Sequence, residues 1–239
     1  MSKIRATLKT MTRKPTLIDQ AMHVVTWNSV AVSARGGAFT PLNKQFDFLE
    51  EEYDETIKAL AEGDMVEVVD GVCDMFVVAS YAFWLTLKGN KDHVDDDSIK
   101  SLISLCKYNP GVSFSLVELE MAIAEERKAY KALEQVIALA YSLDINLGYN
   151  LNEVLASNDS KYPTMAELRA ELDKQWANIK TLSDDEVLAH EAKQIEAREG
   201  GKYSGVYAVL NEATGQYVFL TDAGKIVKPI TFRKPKIIV

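Results

Sequence analysis

Two acidic clusters lie on consecutive apolar-patterned stretches. Glu50-Glu51-Glu52-Tyr53-Asp54-Glu55 is followed by Glu67-Val68-Val69-Asp70-Gly71-Val72-Cys73-Asp74, with Gly63-Asp64 between them. Phe46, Leu49, Tyr53, Ile57 and Leu60 recur at helical spacing, which predicts a helix over about 44–62 with Asn43 as its N-cap. Glu51, Glu52 and Glu55 lie off that stripe, and residues three and four apart are neighbours on a helix. A more apolar helix follows over about 66–87, with Glu67, Asp70 and Asp74 on one face. A short link makes two helices antiparallel. A turn centred on Gly63 sets Glu55 beside Asp70 and Glu52 opposite Asp74. A turn centred nearer Ala61 sets Glu67 against Glu55 and Asp70 against Glu52. Both registers gather at least three carboxylates, and the sequence leaves both open.

Like charges in one cleft repel and each resists desolvation, and a cation offsets both. An all-carboxylate donor set favours Mg²⁺ or Mn²⁺ over zinc or copper. A di-iron bundle needs Glu-x-x-His from two helices, and no histidine follows these glutamates at that spacing. Glu50 and Asp54 read as solvated positions. The run from Asp92 to Asp97 lacks the calcium-loop spacing and reads as a loop leading to Ser98.

The rest of the chain reads as mainly α. A first helix spans about 17–32 and ends at Ala34-Arg35-Gly36-Gly37, with Trp27 read as core. A short helix is expected over 98–107, then a turn at Asn109-Pro110-Gly111 and one long helix over about 116–141. Leu147-Gly148-Tyr149 is expected to break that helix, with a short helical piece over 152–157 after it. Residues 164–199 suggest two exposed amphipathic helices broken near Ser183. A β-hairpin is expected from Tyr203–Leu210 and Tyr217–Leu220, followed by a tail with five basic residues and no acid.

The net charge of −8 argues against a dedicated nucleic-acid binder. Cys73 and Cys106 form no C-x-x-C and read as buried thiols of a reducing compartment. The first residues lack the apolar stretch of a signal peptide. Met75 to Leu87, the longest apolar run, is too short for a membrane span. A cytoplasmic protein without membrane contact is the expectation.

The pattern from Glu51 to Glu55 and Glu67-x-x-Asp70-Gly71-x-x-Asp74 resembles the E-E-x-x-E … E-x-x-D arrangement of the MazG-like, all-α nucleoside triphosphate pyrophosphohydrolases. Dimeric dUTPases and phosphoribosyl-ATP pyrophosphohydrolase belong to that superfamily. Glu153-Val154-x-x-Ser157-Asn158-x-Ser160-Lys161 is similar to a segment that follows its core helices. Gly224-Lys225-Ile226-Val227-Lys228-Pro229 looks like a tail found in its phage and bacterial branch. The resemblance covers about 17–88, about 137–161 and the tail. It leaves out 98–136 and 164–215, which read as insertions.

The resemblance implies an all-α catalytic core over 1–161, with a helical hairpin inserted at about 98–136. Residues 162–239 would form a helical extension, a hairpin and a basic tail. It implies Mg²⁺-dependent hydrolysis of a nucleoside triphosphate to monophosphate and pyrophosphate by a homodimer. By the same resemblance Glu52, Glu55, Glu67 and Asp70 would be metal ligands, with Asp74 an extra ligand or a group behind them. Glu51 would activate or orient the attacking water. Asn158 and Lys161 would face the nucleotide, and Lys225 and Lys228 would form a mobile arm toward phosphate. Two alternatives are a different substrate on the same fold (phosphoribosyl-ATP or a modified nucleotide) and a non-catalytic nucleotide-sensing or host-interaction protein.

Overall fold

The computed structural model describes residues 14–88, 113–176, 178–198, 200 and 202–239. It is mainly helical, with eight α-helices and one two-stranded antiparallel hairpin among the described residues. The expected helix and turn over 98–111, the Asp92–Asp97 loop, Cys106 and the first thirteen residues lie outside them. The chain divides into two compact units. One comprises residues 14–28, Phe39–Leu155 and Pro235–Val239, and the other Ser29–Ala38 and Ala156–Lys234.

The first helix, α1, runs over Leu17–Ala34. In the first unit, α2 (Leu42–Glu62) and α3 (Met65–Lys88) form the antiparallel pair expected from the sequence. Gly63 adopts the left-handed conformation (φ 74°) and its N–H reaches the carbonyls of Ala59 and Leu60, closing α2. Asp64 opens α3, its Oδ1 accepting from the N–H groups of Val66 and Glu67 at 3.2 Å. One residue stops a helix and the next starts another, so the link cannot lengthen and the pair must fold back. Pro41, not Asn43, precedes α2, and its fixed φ suits a helix entry.

The contact between the helices selects one register. A Cβ built on Gly71 would stand 2.2 Å from Thr56 Oγ1 and 3.3 Å from Thr56 Cβ. Gly71 therefore lies opposite Thr56, which is the register of a turn near Gly63. The Thr56 hydroxyl is held in turn, donating to the Glu52 carbonyl at 2.7 Å. Leu49, Val68, Val72, Met75, Phe76, Ala79 and Ala82 belong to the buried core that the helix pair helps to build.

α3 is long and apolar enough to cross a membrane by length and composition, contrary to the expectation from the Met75–Leu87 run alone. In its most apolar window 67% of the helix is buried inside the protein, against α2 on one side and α5 (Ala129–Ser142) on the other. Its apolar surface is thus largely consumed as core.

The expected long helix over 116–141 is broken. It consists of α4 (Leu116–Glu120), a π-helical turn over Met121–Glu125, and α5. Between them Arg127 takes φ 47° and its guanidinium reaches the Asn43 carbonyl and Asp47 Oδ1, both at 3.3 Å. The periodic apolar residues continue through the break, so they did not reveal it. Asp144 (φ 56°), not Leu147-Gly148-Tyr149, ends the next stretch. Those three residues are the first turn of α6 (Leu147–Asp159), longer than expected. Asn150, fully buried, clamps the chain near its end, donating to the Ile238 carbonyl at 3.0 Å and accepting its N–H at 2.9 Å.

The second unit has its own core of Leu168, Leu172, Ile179, Val187, Ile195, Phe219 and Val227. α7 (Met165–Leu172) and α8 (Asp184–Arg198) bury their stripes there and are not the exposed helices expected. Thr164 and Ser183 cap them, each accepting the N–H of a glutamate three residues on while the glutamate reaches back. The hairpin pairs β1 (Tyr207–Asn211) with β2 (Gln216–Leu220), Tyr207 opposite Leu220 and Asn211 opposite Gln216. Strand pairing starts at Tyr207 and not at Tyr203.

Gly71→Ala should destabilise the protein despite the better helix propensity of alanine. Overpacking of this kind costs about 1–3 kcal/mol and the propensity gain is about 1 kcal/mol. Urea denaturation should therefore show a net loss, with part of it recovered when Thr56→Ala is added.

Candidate functional site

In the observed register Asp70 and Asp74 of α3 lie on the side of Glu52 and Glu55 of α2. Glu52, Asp70 and Asp74 are half-buried, whereas Glu51, Glu55 and Glu67 are exposed. Burial pushes the Glu52 carboxyl up to about 8 from an ordinary 4.5, with Asp74, Glu55, Asp70 and Glu51 adding to the rise in that order. Four carboxylates thus act on the fifth. Glu67 is not among them. It sits in the first turn of α3, nearer the loop, where its charge complements the helix N-terminus.

Cys73 lies beneath the same face. It is a buried free thiol whose pKa is raised well above the ordinary value by burial, then by Asp74 and Asp70. Burial also raises the Tyr53 phenol, with Glu120 and Asp54 adding to the effect.

Among the described residues no three His, Cys, Asp or Glu side chains already form a cage for a metal ion. The donor chemistry nevertheless fits a hard divalent cation. The groups are all carboxylates, and a cation would offset both causes of the raised Glu52 pKa, burial first and the neighbouring acids second. Holding an ion would take a closing-in of these side chains, with Glu52, Glu55, Asp70 and Asp74 the residues placed to do it.

The residues expected to face the nucleotide belong to the second unit. Asn158 is buried in the last turn of α6, and Lys161 Nζ donates to its Oδ1 at 2.7 Å. The basic tail, expected as an arm toward phosphate, is seated on the hairpin in this structure. The Val227 N–H donates to the Phe219 carbonyl at 3.0 Å, the Thr221 N–H to the Lys225 carbonyl at 2.9 Å, and Val227, Pro229 and Thr231 are buried.

This seating brings the Ser157–Lys161 segment and the tail together. Thr231 Oγ1 donates to the Ser160 carbonyl at 2.8 Å and the Arg233 N–H to Ser160 Oγ at 3.0 Å. Lys161 and Lys228 share one aromatic ring, their ammonium groups 5.9 and 4.6 Å from the centre of Phe232. Lys225 is held elsewhere, 5.4 Å from the centre of Tyr203 beside Lys202 at the same distance.

The sequence reading missed two positions here. Gly71 is an isolated glycine in an otherwise apolar helix, a signal of close packing. Glu191 is an acid set between Val187 and Ile195 on the apolar stripe of α8, and it is fully buried.

No protein-family model, curated protein sequence or solved structure matches this chain.

The Glu52 shift fixes a pH dependence. The folded state keeps a proton to about pH 8 that the unfolded state releases near 4.5, so folding binds protons between those values. Stability should be insensitive to this group below about 4.5, fall as pH rises toward 8, and level off above. Thermal melts in EDTA should show that fall, at about 2–4 °C per kcal/mol for a chain of this size. Glu52→Gln should flatten the profile and melt higher than the parent at pH 8.5.

Proposed function

We propose that this chain is a Mg²⁺-dependent nucleoside triphosphate pyrophosphohydrolase, cutting between the α and β phosphates to leave a monophosphate and pyrophosphate. The observation that carries the reading is the crowd of carboxylates around Glu52. Glu52 is half-buried with four acids near enough to raise its pKa further, and that cost is explained if the acids receive a cation. The meeting of the Ser157–Lys161 segment with the Lys228 tail gives separate support, because it forms a cationic, partly aromatic surface suited to a phosphorylated ligand.

In this reading Glu52, Glu55, Asp70 and Asp74 hold the ion, and Glu67 stands outside them nearer the loop. Magnesium held by these residues would neutralise the triphosphate and make a water more acidic. Glu51 is exposed next to Glu52 and orients or deprotonates the attacking water. The Gly71–Thr56 contact keeps the two acid-bearing helices close, so positioning, the main source of acceleration in phosphoryl transfer, is built into the helix pair. Lys161 and Lys228 bind phosphate and Asn158 contacts base or sugar. The protein works in this scheme as a cytoplasmic homodimer that controls nucleotide pools, with neither membrane nor nucleic acid among its partners.

Incubation with a panel of dNTPs and NTPs plus Mg²⁺ should release pyrophosphate and monophosphate, seen by ³¹P NMR, and EDTA should stop the release. Glu52→Gln and Asp70→Asn should each lower the rate by more than the roughly 10–100-fold lost when only a group behind a metal ligand is removed. The reading fails if no nucleotide is cut or if both variants keep the parent rate. Release of orthophosphate would place the cut at a different bond.

A further inference from the structure

Glu191 is the one fully buried carboxylate that the proposed reaction leaves unexplained among the described residues. It occupies a stripe position of α8 that an aliphatic residue would fill without electrostatic cost. A buried ion pair is commonly no more stable than apolar side chains of the same volume, so its presence asks for a reason other than stability. Its contacts supply one. Oε1 accepts from Arg198 Nη2 and from the Ile230 N–H, each at 2.7 Å, whereas Oε2 has no partner among the described residues. The carboxylate is thus aimed at a backbone group of the tail.

Ile230 sits in a short turn whose shape is set at both ends. Pro229 before it has its φ fixed by the ring, and the Phe232 N–H donates back to the Pro229 carbonyl at 2.9 Å. Pinning the Ile230 amide therefore fixes Lys228 on one side of the turn and Phe232 on the other. Thr231 and Arg233 then bind Ser160, the neighbour of Lys161. The result is two ammonium groups within 6 Å of the centre of one ring. Two ammonium groups held beside one aromatic ring concentrate positive charge there, and an anion is drawn to it.

We propose that Glu191 is a positioning residue: by fixing the Ile230 amide it presets Lys161 and Lys228 around Phe232 as a binding site for the phosphate chain of a nucleotide or for free pyrophosphate. The assignment of the anion to a nucleotide rests on the pyrophosphohydrolase reading, whereas the positioning role does not.

The test titrates the whole chain with inorganic pyrophosphate in EDTA by calorimetry, with circular dichroism to confirm folding. The parent should bind, and Lys228→Ala should weaken binding. Glu191→Leu removes the acceptor and should weaken it by roughly ten- to a hundredfold, the scale of one hydrogen bond to a charged group. Glu191→Gln keeps an acceptor for the Ile230 amide and should restore most of the affinity, a rescue that a purely structural role would not give. If Glu191→Leu does not fold, Ile230→Pro removes the donor from the other side and should weaken binding in the same way. Absence of pyrophosphate binding by the parent, or affinity unchanged in Lys228→Ala or in the folded variants that break the Glu191–Ile230 bond, overturns the proposal. The nucleotide assay separates the two readings. A protein that cuts no nucleotide yet shows this binding pattern keeps the positioning role and loses the hydrolase. A hydrolase whose KM ignores Glu191→Leu loses the positioning role alone.

Discussion

The close approach of α2 and α3 at Thr56 and Gly71 is the constraint on which the first unit depends. A glycine at 71 leaves room for a threonine that is itself tied to the Glu52 carbonyl. The same contact sets the register, and the register decides which acids meet. Displacing the helices by one turn would pair Glu52 with Asp70 and bring Glu67 into the group. As built, Asp70 and Asp74 bear on Glu52, and the electrostatic load falls on one half-buried carboxyl. Packing and charge are therefore one problem here: a pair of helices held tightly enough to be stable is also held tightly enough to concentrate negative charge.

The helix pair was legible in the sequence because every local signal agreed. Apolar residues recur at helical spacing on both sides of Gly63-Asp64, a pair that both ends one helix and caps the next. Its register was not legible, since periodicity constrains which face is buried and not how far one helix slides along another. The breaks at Arg127 and Asp144 escaped notice for a related reason. Both are non-glycine residues with positive φ, and Arg127 is secured by bonds to residues 80 and 84 positions away. A tertiary partner stabilises what local chemistry disfavours, and it leaves no mark on its neighbours in sequence.

The second unit shows the opposite error. Residues 164–199 are rich in charge, and that richness suggested exposed helices. The charges serve largely at the ends, as in the reciprocal caps at Thr164 and Ser183, while a modest stripe of Leu168, Leu172, Val187 and Ile195 closes on Phe219. The basic tail was expected as an arm toward phosphate only through the family resemblance, and its five basic residues drew attention from the apolar ones among them. Its alternation of buried Val227, Pro229 and Thr231 with exposed Lys228 is a strand-like pattern that the cluster of lysines obscured. The two candidate substrate-binding lysines that meet at Phe232 come from segments some seventy residues apart, a proximity only the fold reveals.

Cys73 gives the acidic helix a property of a different kind. Its thiol is enclosed by the core and kept in the protonated form by burial and by the neighbouring Asp74 and Asp70. Thiol reagents act on the thiolate, so they meet this sulfur only when α3 lifts away from its neighbours. The rate at which Cys73 is modified is then a clock for the opening of the helix pair, read two residues from Gly71 and next to Asp74.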